Sequence, residues 1–146
     1  MSQPQSYKNH ARFDPMFHFF VLPFLLLNVI ASIVWYVRHR PTHIHSGPWI
    51  ILLSIALFML AGLARGYALK AQDRVIRLEE RLRIASLVSA SELAELESLT
   101  MKQYIALRFA SNPELPELAR RAIREKLTNK QIKQAIVAWR PDNDRI

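Results

Sequence analysis

The sequence predicts an all-α protein: a two-helix transmembrane hairpin, a second span that continues as a long amphipathic helix, and a small bundle of short cytosolic helices. Three observations carry this. Two uncharged or nearly uncharged apolar stretches, at about 16–37 and 48–66, are each long enough to cross a bilayer. No Pro lies between PWIILLSIALFMLAGLA and QDRVIRLEERLR, so one helix runs from the second stretch into a charged segment at 70–88. Finally, residues 89–146 are full of helix-start signals and offer no alternating strand pattern.

Residues 1–15 are polar and end in Asp14-Pro15, which suits an N-cap followed by Pro at the first helical position. The next 22 residues, MFHFFVLPFLLLNVIASIVWYV, carry no formal charge. A cleaved signal peptide would have a shorter apolar core and small residues at its end, so an uncleaved span is the better reading. Pro23 sits within it and should kink the helix by freeing the Phe19 carbonyl. Trp35, Tyr36 and Trp49 fall where interfacial aromatic belts fall.

The outer loop, 38–47, is ten residues long and forces an antiparallel hairpin. It carries Arg38 and Arg40, whereas Lys8, Arg12, Arg65, Lys70, Arg74, Arg77, Arg81 and Arg83 flank the other side. The positive-inside rule therefore places both termini in the cytoplasm, and the expected location is a bacterial inner membrane.

Within the hairpin, polar and small residues gather on faces at about 100° per residue: His18, Leu25, Asn28 and Ser32 on the first span, Ser54, Ala61, Arg65 and Ala68 on the second. These faces should meet, because lipid cannot satisfy a polar side chain and small residues permit close approach. The expected intramembrane cluster is Asp14, His18, Asn28 and Arg65, with Ser54 and Ala61 at the helix–helix contact. A snorkelling Arg65 and an interfacial His18 are the rival account. Gly62 and Gly66 form a GxxxG on a neighbouring face, which suits a dimer seam, lipid or intramolecular packing equally.

Past the membrane, Ala71, Val75, Leu78, Leu82 and Ala85 recur at 4,3,4,3 spacing. Two heptads are too few for an independent coiled coil. This amphipathic stripe, with Val75, Leu78 and Leu82 at its centre, should pack on the chain's own terminal helices or, failing that, on a second copy. Asp73 with Arg77 and Glu79 with Arg83 are expected i,i+4 pairs. The Arg excess here would draw anionic headgroups.

In the terminal module Ser91 opens SELAELESL, Thr100-x-x-Gln103 opens MKQYIALRFA, and Thr128-x-x-Gln131 opens NKQIKQAIVAW. The recurrence of Leu-Thr-x-Lys-Gln at 99–103 and 127–131 reads as repeated capping chemistry. Leu96, Leu99, Ile105, Leu107, Phe109, Leu118, Ile123, Leu127, Ile132, Ile136 and Trp139 are the expected core. About 75 residues is a marginal size for such a module.

The chain resembles a bacterial family of small two-span membrane proteins that has no assigned function. The resemblance is carried by QSYKNHARFDPMFHFF, QDRVIRLEERLR, ALRFAS and IKQAIVAWRPDNDRI. It implies the hairpin and the helical tail and brings no activity with it.

No Cys is present, which removes disulfides, thiolate metal sites and cysteine nucleophiles, and no Gly-rich loop could cradle a phosphate. Candidate acids lie on charged helical faces with compensating neighbours, Glu117 with Arg121 and Arg121 with Glu125, so no enzyme is expected. His43, His45 and His39 are a possible metal set, but the loop holds no carboxylate to complete it. Haem would need His18 from two protomers. No cofactor is therefore expected. Net charge +8 suggests nucleic acid, yet residues 70–146 interleave 15 basic with 11 acidic residues and lack an aromatic-rich groove pattern. The expected function is a non-enzymatic membrane accessory or scaffold protein acting through self-association or an unidentified membrane partner. The alternative is a His-dependent metal-binding or transport accessory protein, and membrane-tethered nucleic-acid binding stands third.

Overall fold

The computed structural model describes residues 5–7 and 13–142. Among these the protein is all-helical: a π-helical turn at Met16–Val21 leads into α1 (Leu22–His39), followed by α2 (Ser46–Ala85), α3 (Ala90–Leu96), α4 (Met101–Leu107), α5 (Leu115–Arg124) and α6 (Asn129–Ala135). The chain divides into two compact units, one of residues Arg12–Leu69 and one of Met1–Ala11 with Lys70–Ile146; α2 contributes to both. Lys8 and Arg12 lie outside the described residues.

The first unit holds two helices long and apolar enough to cross a membrane, Met16–His39 and Ser46–Ala85. Within this unit their outward faces are mostly apolar; Phe19, Leu27, Leu53 and Leu60 are all exposed. Pro23 has no N–H to offer the Phe19 carbonyl. The backbone answers with a widened turn just ahead of it, in which the Leu22 N–H reaches the Phe17 carbonyl five residues back. The disturbance expected at Pro23 thus takes the form of a π-turn on its N-terminal side. Upstream, the Asp14 carboxylate accepts the Phe17 N–H at 3.2 Å, which satisfies one orphan donor of the helix start.

In the second unit α3 to α6 pack on one another, and Ile84 at the end of α2 enters their core. Three of these helices begin with complete capping boxes. Ser89 and Glu92 open α3, so the cap is Ser89 and the helix starts one residue before Ser91. Thr100 with Gln103 opens α4, and Thr128 with Gln131 opens α6. The two Leu-Thr-x-Lys-Gln segments meet in space: Gln103 donates to the Ala122 and Leu127 carbonyls at 2.9 and 3.3 Å, and Asn129 donates to the Lys102 carbonyl at 2.9 Å. Helix α6 is shorter than its sequence pattern suggests. Ile136 turns extended, and residues 138–140 pair with 109–111 through a single antiparallel bridge, with the Arg140 N–H on the Phe109 carbonyl at 2.7 Å. Glu114 organises this turn, since its carboxylate accepts the N–H groups of Ser111 and Val137 at 3.1 Å each.

The core contains Ile84, Leu96, Leu99, Leu107, Phe109, Leu118, Ile132 and Ile136, with Ile123, Leu127 and Trp139 packed against it. It also contains Tyr104 and Leu115, and Ala106, Ala110, Ala119 and Ala122, whose small side chains let short helices approach closely. Ile105 is not part of it and stays half-exposed.

The stripe on α2 is the principal departure from expectation. Val75, Leu78 and Leu82 are 53%, 61% and 65% exposed, whereas Ile76, Glu80 and Ile84 are 7%, 4% and 1% exposed. The helix thus docks on its module by the opposite face, not by the stripe. Periodicity missed that face because its central residue is a glutamate.

Replacing Ile84 by Ala should therefore destabilise the module by about 2–5 kcal/mol, as deletion of a fully enclosed aliphatic side chain does. Ile105→Ala should cost clearly less. Chemical denaturation of the purified protein, followed by circular dichroism, measures both; equal losses would mean that α2 does not dock by Ile84.

Candidate functional site

Two charged clusters stand out, one in each unit. In the first unit the short 40–45 connection returns α2 alongside α1. Ser32 and Ser54 are the buried hydroxyls of this pair, 7% and 5% exposed, and each satisfies itself on its own helix, donating to the Val29 and Ile50 carbonyls at 2.8 Å. Gly47 is buried against the Tyr36 ring, which occupies the space a side chain would need. Ala61, Arg65 and Ala68 are half-buried along the same side of α2.

Arg65 reaches back to the start of the first helix. Its Nη1 lies 3.6 Å from Asp14 Oδ2, and its guanidinium sits 5.7 Å from the Phe17 ring centre. His18 joins this group through the main chain: its Nδ1 is 2.9 Å from the Asp14 carbonyl oxygen, and the rings of Phe13 and Phe17 flank it edge-on. Asp14 therefore serves three neighbours at once. Asn28 does not belong to the cluster; it is exposed and makes no side-chain hydrogen bond. Gly62 and Gly66 open onto empty space, with nothing of the chain within 4 Å of where a Cβ would stand.

Of the loop histidines, His39 bonds the Trp35 carbonyl at 2.8 Å and His43 the Ser46 hydroxyl at 3.3 Å. Their rings are 6.3 Å apart and both lie against Trp35. His45 is exposed. Among the described residues no group of three or more His, Asp or Glu side chains stands where it could hold a metal ion.

The second cluster is centred on Glu80, which no sequence pattern singled out. Its carboxylate takes Arg83 Nη1 at 3.0 Å and lies 3.6 Å from Arg140 Nη1. Arg83 spends its other donors on the Ala110 carbonyl, the Arg108 carbonyl at 3.4 Å and Asn112 Oδ1 at 2.8 Å. The pair expected between Glu79 and Arg83 does not form, because Arg83 is drawn inward to Glu80 and the 108–112 turn. Asp73 and Arg77 likewise stay apart; Arg77 lies over the Tyr104 ring instead, 6.0 Å from its centre. On α5, Glu117 pairs with Arg120 rather than Arg121, and Arg121 with Glu125 at 3.0 Å. Arg108 holds Asp142 at 2.9 Å, and Gln5 clasps the Asp142 main chain with bonds of 3.2 and 2.8 Å, which ties the N-terminal segment to the module.

Burial pushes the Glu80 carboxyl above its ordinary range, against the pull of Arg83 and Arg140. The same burial lowers Arg83 from its usual value, opposed by Glu80. Burial also raises the Tyr104 phenol. These groups are tied into packing and to one another. Their arrangement fixes the end of α2 and offers an open depression bordered by Arg83, Ser111, Asn112 and Arg140.

Together the fold and the clusters define an all-α protein with two apolar helices of membrane-spanning length and a capped helical module. The chain belongs to a family of unknown function, DUF6526, whose model matches residues 1–146. No curated protein matches the chain, and no solved structure does.

Two outcomes follow from these clusters. Asp14→Arg should lower the amount of folded protein recovered, through lost capping and like charges facing at positions 14 and 65. Adding Arg65→Asp should recover the ion-pair part, about 1 kcal/mol or less, and leave the cap missing. Quantitative immunoblotting of membranes measures it, and no gain of the double variant over Asp14→Arg would dispose of the pair. Glu80 gives a pH signature. Its folded-state value is raised, so the folded chain holds the proton more tightly than the unfolded one. Its contribution favours the fold below the ordinary value of 4.5 and is lost as pH rises through the elevated value. The stability of the wild type relative to Glu80→Gln should therefore fall as pH rises across that interval, and a flat difference would contradict the burial of the carboxyl.

Proposed function

We infer that this protein is a non-enzymatic integral membrane accessory or scaffold protein that displays a small helical module on the cytoplasmic side. The observation that carries the reading is the continuity of α2. It is one helix of 40 residues from Ser46 to Ala85, apolar in its first half, with Ile84 near its end enclosed in the module core. That helix contributes to both units, and its last turns belong to the module.

The charge distribution supports the orientation. Arg65, Lys70, Arg74, Arg77, Arg81 and Arg83 follow the second span, against Arg38 and Arg40 in the connection, so both termini are cytoplasmic by the positive-inside rule. The same cations suit anionic headgroups. Carboxylates of the module are engaged in caps and ion pairs, Glu92 with Ser89 and Arg120, Glu114 with the 137–138 backbone, and Glu117 and Glu125 with Arg120 and Arg121. This favours a binding role over catalysis.

The chain has no Cys, so single cysteines report topology directly. The protein should stay in the pellet after alkaline carbonate extraction. In intact cells a membrane-impermeant maleimide should label Thr42→Cys and spare Ser98→Cys, with both labelled after lysis. Release by carbonate, or labelling of Ser98→Cys in intact cells, would overturn the membrane placement or its orientation respectively.

A further inference from the structure

We propose that residues 71–85 of α2 form the seam of a parallel homodimer, with Val75, Leu78 and Leu82 as its core and Arg74 of each copy paired with Glu79 of the other. The proposal rests on the membrane reading above and names the partner of that module: a second copy of this chain.

The stripe is free because α2 docks by Ile76, Glu80 and Ile84. Its spacing assigns heptad positions without choice. The 4,3,4,3 intervals place Val75 and Leu82 at a and Ala71, Leu78 and Ala85 at d. A β-branched residue at a with Leu at d is the combination that favours two parallel strands. The residues used for docking, Ile76, Glu80, Arg83 and Ile84, then fall at b, f, b and c. The module and the seam therefore occupy different sides of the helix and do not compete.

The flanking charges select the occupant. Position g holds Arg74 and Arg81, and position e holds Gln72, Glu79 and Ser86. In a parallel dimer each g residue faces the e residue five positions later on the partner, which places Arg74 against Glu79 twice by symmetry and Arg81 against the neutral Ser86. Arg81 already has Glu97 of its own chain at 3.6 Å, and Arg77 lies over Tyr104. Arg74 and Glu79 are exposed and form no ion pair within the chain. Of the charges at the e and g positions, the two left unspent are thus the two that a second copy would complement. An antiparallel pair would set Arg74 against Arg81, and an anionic lipid surface would meet Glu79 along one flank. Copies inserted the same way in one bilayer can pair only in parallel, and their confinement raises the effective concentration that two heptads need.

Single cysteines at Val75, Leu78 and Leu82, and at Arg77 as an exposed control at position c, can be oxidised in native membranes of the full chain. Disulfide-linked species of twice the monomer mass should form at 75, 78 and 82 and not at 77. On the Leu78→Cys background, Arg74→Glu or Glu79→Arg alone should lower the dimer yield about twofold or more, and the double reversal should restore it. Carbonate extraction of the same membranes is run in parallel. Retention in the pellet without dimer at these positions, as for a stripe lying on headgroups, overturns the seam alone. So does crosslinking into a species of another mass, equal crosslinking at 77, or no recovery in the double reversal. Release of the chain by carbonate overturns the membrane reading and the seam with it.

Discussion

The buried ion pair of Glu80 and Arg83 is the constraint on which the second unit depends. A carboxylate that is 4% exposed carries a desolvation cost that a single contact does not repay. Here the cost is distributed. Glu80 has two guanidinium neighbours, and Arg83 donates to two main-chain carbonyls and to Asn112. Those acceptors all belong to the 108–112 segment, the tight connection between α4 and α5. The pair therefore joins the last turns of α2 to the turn where the module changes direction. Replacing such a pair by apolar residues of equal volume is often neutral in stability, but removing one member leaves a charge stranded. Its contribution is accordingly to position: it fixes the rotation of α2 about its own axis.

The uneven legibility of the sequence has the same origin. Apolar length, loop length and capping chemistry are local properties, and the elements that rest on them stand where the residues place them. The spans at 16–37 and 48–66 lie within the two long apolar helices, and both Thr-x-x-Gln boxes close as their spacing requires. The docked face of α2 was not legible, because periodicity counts apolar residues and the docked face reads Ile76, Glu80, Ile84. A charge is scored as solvent-facing unless its partners are known. Those partners, Arg83 nearby and Arg140 sixty residues on, are brought together only by the fold. Ala106, Ala110, Ala119 and Ala122 are not legible for a related reason, since alanines enter a core through the closeness of helices and not through their own hydrophobicity. The loss of the last turn of α6 is also tertiary: residues 138–140 leave the helix to pair with 109–111.

The hairpin follows a different logic, in which backbone accounting outweighs packing. Asp14 caps the Phe17 N–H, offers its carbonyl to His18 and its carboxylate to Arg65, so the polar groups at the helix start are largely answered by one residue. A few residues later Pro23 withdraws a donor, and the widened turn at 16–21 redistributes the remaining bonds. Along the rest of the pair, Ser32 and Ser54 turn their hydroxyls onto their own helices, which lets them serve as small, non-demanding residues where the chains approach. Asn28, by contrast, has two donors and an acceptor and no such internal outlet, and it lies on the exposed side.

The two faces of α2 then bear on each other. Turning the helix by about half a turn would bring Leu78 and Leu82 towards the module and bury more apolar surface, a gain of about 1.5–3 kcal/mol per side chain. That rotation would also swing Glu80 out of reach of Arg140 and pull Arg83 from the 108–112 carbonyls, leaving buried main-chain acceptors unpaired. Polar groups of this kind act as register devices elsewhere, most clearly at single buried polar positions of coiled coils. In this chain the device holds the leucines outward. Within one chain that choice fixes how α2 docks and leaves the heptad pattern in water. A protein that keeps the pattern for a second copy gains both a docked module and a free seam on one helix.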